Sequence, residues 1–247
     1  MWIVAVVVAG CSKPAAHRDD VRVPDRVELR DAAAAIEPRA DAVAPAPDAA
    51  ALAVVDAPLA WNDDRAALTL AYRRAHSDPD ATDLTIAPRV IVLHYTSGSS
   101  ATATRAYFDN VRIEAARTEL ARAGAVNVSA HFVVDRDGTI YRLQPETRFA
   151  RHCIGLNHIA IGIENVGDET TLPLTDAQVA ADAALVRDLA GRFPITHLLG
   201  HHEVMKFRDH PYYRERDPHY TNDKPDPGAR FMARVRALVD DLHLAGL

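Results

Sequence analysis

Two histidines and an aspartate, far apart in the chain, carry side chains of the kinds that bind a transition-metal ion. His94 ends an apolar stretch, His201 follows a glycine, and Asp226 lies between two prolines. Zinc in hydrolytic sites has three protein ligands of this kind and keeps a fourth position for water or substrate. Because the chain contains 12 histidines, spacing alone does not single out this triple, and the surrounding segments must be considered.

The segments around these residues alternate between strand and helix patterns. Residues 90–93 are four apolar residues, three of them β-branched, which is typical of a buried strand that ends at His94. A second strand delivers Glu164 to a sheet edge, and Asp137-Gly138 is a turn signal for a hairpin. We expect strands at 89–94, 158–165 and 195–199, a hairpin at 130–143, and helices at 62–76, 103–124, 175–191 and 228–244. This order predicts an α/β fold in which a mixed central sheet is covered by helices.

The first ten residues, MWIVAVVVAG, form an apolar run of the size of a secretory signal, followed at once by Cys11. Val8–Cys11 resembles a bacterial lipobox, in which the cysteine receives a diacylglycerol whose two acyl chains suffice for stable membrane anchoring. No basic residues precede the apolar run. The alternative is a short hydrophobic N-terminus with an ordinary cysteine. We expect a signal peptide at 1–10 and an exported, lipid-anchored protein in the periplasm. A serine after the cysteine, here Ser12, resembles lipoproteins that are sorted to the outer membrane.

Residues 31–60 are dominated by alanine, proline and aspartate without a periodic apolar face. Such composition predicts a flexible tether over 11–60. The alternative is an additional alanine-rich helix packed on the domain. We therefore expect one folded domain at 61–247.

Charge and cysteine content restrict the partners and the covalent structure. The formal net charge is −6, and lysine and arginine form no cluster typical of a nucleic-acid surface. If Cys11 is lipidated, only Cys153 remains, so no internal disulfide is expected. Nucleic acid is thus excluded as the expected partner, and the oligomeric state stays open.

Several segments in the second two-thirds of the chain, in a fixed order, resemble the zinc-dependent N-acetylmuramoyl-L-alanine amidases of type 2, a family that includes peptidoglycan recognition proteins. The resemblance rests on VIVLHYT, NVSAHFVVDRDGTIYRL, ARHCIGLNHIAIGIENVG, LLGHHE and KPDPG. It implies Zn²⁺ as cofactor and peptidoglycan or muropeptides as partners. The implied reaction is hydrolysis of the amide between N-acetylmuramic acid and L-alanine. The alternative is a peptidoglycan-binding module that has lost catalysis.

The resemblance also assigns the metal ligands by position. It places them at His94, at His201 directly after the glycine of LLGH, and at Asp226 in KPDPG. His202 is the competitor, since it neighbours His201. A zinc peptidase is a less favoured class, because no HExxH motif occurs.

Two further residues match catalytic positions of the family. Glu164, the glutamate of IGIE, would take a proton from water and pass it to the leaving nitrogen, while Lys224 would stabilise the oxyanion. A zinc ion would activate the water and polarise the carbonyl. The simpler interpretation of Glu164 is a strand-end carboxylate paired with a lysine or arginine.

Four further features have expected roles outside the ligand set. His152 matches a histidine near the family's substrate groove, but Arg151 stands where relatives often have an aromatic residue. His131 is expected to support the sheet or the surroundings of the metal. Thr96 and Asn165 are candidate substrate contacts. The polar segment 207–223, which contains three tyrosines, is either a groove wall or an ordinary solvated loop.

Overall fold

The computed structural model describes residues 52–247. The strands are β1 (Val54–Asp56), β2 (Val90–Tyr95), β3 (Phe132–Val134), β4 (Ile140–Arg142), β5 (Ala160–Asn165) and β6 (His197–Gly200). The helices are α1 (Asp63–His76), α2 (Ala101–Asp109), α3 (Thr118–Ala123), α4 (Asp176–Arg192), α5 (His201–Val204) and α6 (Ala229–Leu238). The expected signal peptide, Cys11 and most of the expected tether lie outside the described residues.

The strands form one mixed sheet in the order β1-β4-β3-β5-β2-β6. β3 and β4 pair antiparallel, as the hairpin prediction requires, and the other neighbours pair parallel. Gly138 in the hairpin turn has φ +88°, a conformation that glycine adopts without strain. The expected fold, a mixed sheet with helices, is confirmed.

Side chains alternate between the two faces of the central strands. Ile91 and Leu93 of β2 pack with Ile161 and Ile163 of β5 against α4 and α6. Val90 and Val92 pack on the opposite face. This alternation puts His94 and Glu164 on the face away from α4 and α6.

The folded domain begins before the expected boundary at residue 61. β1 pairs parallel with β4, and beyond it the amides of Ala57 and Leu59 donate to the carbonyls of Arg142 and Leu143. Leu59 is buried. The end of the expected tether is therefore part of the sheet, because a valine pair inside an alanine- and proline-rich stretch suffices for an edge strand.

The prediction of a single helix at 103–124 is wrong. The chain forms two helices, α2 and α3, with an irregular segment between them. The guanidinium of Arg65 donates to the carbonyls of Phe108 and Asp109, and the side chain of Asn127 donates to the Tyr107 carbonyl. These donors satisfy the last carbonyls of α2 and replace the next helical turn.

The last helix is shorter than the 228–244 predicted. α6 ends at Leu238, and a 3₁₀ turn, Asp240–Leu242, follows before His243 adopts φ +50°. Beyond it, Ala245 accepts from the Leu198 amide and donates to the Thr196 carbonyl. The segment after α6 therefore runs along the outer edge of β6. Within residues 52–247, none of the helices combines the length and apolar character needed to span a membrane.

Candidate active site

His94, His201 and Asp226 meet at one point in the fold, and their ligand-type atoms all lie within 4.8 Å of one another. His94 Nδ1 is 3.0 Å from His201 Nδ1 and 3.2 Å from Asp226 Oδ2, while His201 Nδ1 is 3.1 Å from the same oxygen. All three residues are buried. Three atoms thus form a nearly equilateral triangle below the surface.

The parallel part of the sheet produces this convergence. The register of β2 and β5 places His94 directly beside Glu164, on the same face and at the carboxyl ends of both strands. β6 is the other neighbour of β2, with Gly200 opposite Leu93 and His201 next in the chain. Carboxyl ends of parallel strands form one edge of a sheet, where ligands commonly bind.

Asp226 comes from the segment that precedes α6 and is held by the turn after β6. The backbone amide of His202 donates to the Asp226 carbonyl over 2.8 Å, and His202 Nδ1 lies 3.2 Å from the same oxygen. The His202 ring points towards Gly200, where a Cβ would lie 2.7 Å from it. His202 therefore holds the backbone of Asp226, while His201 contributes to the triangle.

The donor set and the spacing fit a zinc ion. Bonds of about 2.0–2.1 Å in a tetrahedral site place ligand atoms about 3.3 Å apart, close to the observed separations. Hydrogen bonds alone do not satisfy the triangle. If both imidazoles donate to Asp226, two Nδ1 atoms that each carry a hydrogen lie only 3.0 Å apart. A shared cation would satisfy the lone pairs of all three atoms.

The electrostatics of the triangle also suit a cation. Burial lowers the pKa of His94 to about 4, and neighbouring His201 acts in the same direction. Burial by itself would raise the pKa of Asp226, but hydrogen bonds with His201 and His94 hold that pKa well below its ordinary value. A neutral imidazole and an ionised carboxylate are the forms that bind metals.

Glu164 and Lys224 line the same cleft as the triangle. Burial and the charge of Asp226 raise the pKa of Glu164 to about 8, whereas Lys224 and Arg117 oppose the shift. Glu164 Oε2 is buried without a hydrogen-bond partner among the described residues. Glu164 is thus not a structural ion-pair carboxylate, and it is available to a molecule in the cleft.

The cleft has a volume of about 500 Å³. Thr96 is part of its lining, together with Tyr107, Tyr220 and Asn222. Asn165 is not, because it is fully buried and donates to the His94 carbonyl and to Asp182. The expectation that Asn165 contacts substrate is therefore wrong.

Segment 207–223 contributes to the cleft only through its end. Tyr220 lies in the wall, beside Tyr72. Tyr212 and Tyr213 pack instead against the apolar cluster of Val90 and Val92. The groove-wall prediction thus holds for the end of the segment, whereas Tyr212 and Tyr213 belong neither to the wall nor to a solvated loop.

His131 and Arg151 both have structural contacts. His131 Nδ1 accepts from the Gly162 amide and its Nε2 donates to the Arg148 carbonyl, so it supports the sheet. Arg151 donates to the carbonyls of Leu120, Gly124 and Val126, which fixes α3 and the turn after it as one wall of the cleft.

The contact between His152 and His94 was not predicted from the sequence. Its Nδ1 lies 3.1 Å from His94 Nε2. A signal for it was Gly162, since glycine inside a strand marks a place where another group approaches the backbone. A Cβ at Gly162 would lie 2.6 Å from the His152 ring.

A mixed β-sheet covered by helices, with a buried triangle of two imidazoles and a carboxylate at the carboxyl ends of its parallel strands, defines an α/β protein with a candidate metal site in a cleft. A family model described as N-acetylmuramoyl-L-alanine amidase matches residues 84–229, which is more than half of the chain. The chain belongs to this family.

Individual relatives are more distant. An endolysin of Escherichia phage T7 is 30% identical over 100 residues, which are 38% of this chain and 66% of the endolysin. An endolysin of Enterobacteria phage K11 is 29% identical over 107 residues, 41% of this chain and 70% of that protein. The first of these alignments spans slightly less than two thirds of the relative's length.

Among solved structures, the chain resembles the endolysin N-acetylmuramoyl-L-alanine amidase LysCS from Clostridium intestinale URNW. The TM-score is 0.50 at 22% identity, covering 76% of this chain and 95% of that one. At this identity, the similarity shows the fold.

Proposed function

We propose that this protein is a zinc-dependent N-acetylmuramoyl-L-alanine amidase that cleaves the bond between N-acetylmuramic acid and L-alanine in peptidoglycan during cell-wall turnover or remodelling. The observation that carries the proposal is the convergence of His94, His201 and Asp226 in one cleft with Glu164. Family membership supports the substrate class.

His94, His201 and Asp226 would hold the zinc ion, which when bound supplies a Lewis acid for the scissile carbonyl and for water. Glu164 has a free buried oxygen and a pKa raised to about 8. A carboxylate with a pKa near the working pH is suited to accept a proton from water and return it to the leaving nitrogen. The positive charge of a bound metal favours its ionised form.

Lys224 is the proposed source of oxyanion stabilisation. It lies two residues from Asp226 and lines the cleft with its side chain half-buried. An ammonium near the developing negative charge is effective in a partly water-excluded cleft. Its charge is also felt at Glu164, whose pKa it lowers.

The direct test is mass spectrometry of purified muropeptides after incubation with zinc-loaded protein. We expect free stem peptides that begin at L-alanine, released about 10²–10⁴-fold more slowly by a Glu164→Gln variant that still binds zinc. Binding of peptidoglycan without release of peptide would instead identify a binding module. Peptide fragments cut within the stem would identify a peptidase.

The location of the enzyme is a separate part of the proposal. The lipobox-like segment Val8–Cys11 supports export and an acyl anchor in the periplasm. Labelled palmitate should enter the wild-type protein and not a Cys11→Ala variant. Label that persists in the variant would contradict the anchor.

A further inference from the structure

His152 connects the candidate metal centre to the sheet behind it. Its Nδ1 lies 3.1 Å from His94 Nε2, and its Nε2 lies 3.3 Å from the Ala160 carbonyl oxygen. The His94 and His152 rings are nearly perpendicular, with an interplanar angle of 87° and centroids 5.2 Å apart. His152 is buried, so both contacts are shielded from water.

The direction of both hydrogen bonds follows from the Ala160 carbonyl, which only accepts. His152 must carry its hydrogen on Nε2, and a neutral His152 then presents a lone pair at Nδ1. His94 must therefore donate from Nε2. In a neutral His94 this leaves the Nδ1 lone pair directed at Asp226 and His201.

The place of the His152 ring depends on Gly162, the strand residue beneath it. A Cβ at Gly162 would lie 2.6 Å from Cγ and 2.7 Å from Nδ1 of the ring. The Gly162 amide donates to His131 Nδ1 over 3.0 Å. His131 thus fixes the strand, and the bare strand backbone leaves room for His152.

His94 and His201 differ in whether the Nε2 atom of the ring has a hydrogen-bond partner. Within residues 52–247, His201 Nε2 is buried without a hydrogen-bond partner. The hydrogen-bonded chain from Ala160 therefore determines the orientation of His94 in particular. Partners of this kind, which bind the far nitrogen of a ligating histidine, change metal affinity by about 10–100-fold when they are removed.

We infer that His152 is a positioning residue that holds His94 in the tautomer whose Nδ1 binds the metal. The inference rests on the proposed zinc site and adds a residue outside the three ligands. It predicts that zinc affinity depends on the acceptor at His152 Nδ1, beyond any effect of packing.

The test compares His152→Asn with His152→Leu. The two replacements have nearly the same shape, and only asparagine keeps an acceptor near the position of Nδ1. We expect zinc affinity, measured by competition with a chromophoric chelator, to fall about 10–100-fold in His152→Leu and by no more than about threefold in His152→Asn. The metal-free proteins should melt at similar temperatures. His158→Leu, which removes a histidine outside the cleft, should leave zinc affinity unchanged.

Equal zinc affinities of the two His152 variants would overturn the inference, whether both keep the wild-type value or both lose it equally, because packing alone would then explain the result. Failure of the proposed function is distinct from this outcome. It would appear as a wild-type protein that binds no zinc, and the inference would fall with it.

Discussion

At the scale of single residues, the site is defined by what each polar atom does. Glu164 Oε2 is buried and unpartnered among the described residues, while each ring nitrogen of the neighbouring His94 lies within 3.2 Å of another polar side-chain atom. A buried carboxylate oxygen without a partner is costly to a fold. Its presence beside the triangle indicates a functional site.

Replacing Glu164 by glutamine should separate chemistry from metal binding. The amide keeps the size of the side chain and cannot accept a proton from water. We expect the rate of muropeptide hydrolysis to fall by about 10²–10⁴-fold, with zinc content unchanged as measured by atomic absorption. A variant that hydrolyses at the wild-type rate would contradict the role of Glu164.

The adjacent histidines should differ sharply in their effect on zinc. His201→Ala removes a corner of the triangle and should abolish stoichiometric zinc binding after dialysis. His202→Ala removes the side-chain contact to the Asp226 carbonyl and leaves the triangle itself in place, so this variant should retain the ion with weaker affinity. Bound zinc per protein is the measurement, and the reverse order would mean that His202 is the ligand.

At the scale of helices and strands, two buried arginines terminate the helices beside the cleft. Arg65 donates to the last two carbonyls of α2. Arg151 donates to three carbonyls in α3 and the turn after it. Arg151 also lies over the Tyr72 ring, with 4.4 Å between its guanidinium carbon and the centroid. The wall of the cleft therefore depends on a long-range side chain more than on helix propensity.

Replacing Arg151 by methionine should destabilise this wall. Three carbonyls lose their donor, and we expect the free energy of unfolding to fall by about 3 kcal/mol, measured by urea denaturation. Amide exchange should rise most in residues 117–126. The matched control is Arg148→Met, which removes a cation–π contact with Trp61 and should cost about 1 kcal/mol or less. Equal effects of the two variants would contradict the role of Arg151.

The sequence predicted those helices, strands and turns whose formation depends on residues close to them in the chain. The apolar strand β2, the Asp137-Gly138 turn and the helix expected at 175–191, observed as α4 with Thr175 as its N-cap, are all present. The break between α2 and α3 was not predictable, because its cause is Arg65, more than 40 residues away in the chain. The sequence suggested the three ligand residues through family resemblance, whereas the link from His94 to His152 needs the fold.

At the scale of the whole molecule, pH should act on stability through Asp182. This carboxyl lies under the sheet, accepts a hydrogen bond from Asn165 and is fully buried. Burial raises its pKa from 3.8 to about 7, although Asn165 opposes the shift. The folded protein keeps a proton that the unfolded chain releases, so the free energy of unfolding falls as pH rises from about 4 to about 7.

An Asp182→Asn variant should lack this contribution. We expect it to gain stability relative to the wild type as pH rises, with a difference on the order of 2–4 kcal/mol between pH 4.5 and pH 8. Urea denaturation of the metal-free proteins at both pH values is the measurement. A constant difference between variant and wild type across this range would show that Asp182 is ionised in the folded state.

The contact of Ala245 with β6 has a consequence for how copies of the protein behave towards one another. An uncovered edge strand presents unpaired amides and carbonyls that can pair with a strand of another molecule, which can lead to aggregation. Ala245 occupies the groups of Thr196 and Leu198 that would otherwise serve as such a template. The residues after α6 thus cover part of the outer edge of β6 and leave fewer backbone groups there for pairing with a strand of another molecule.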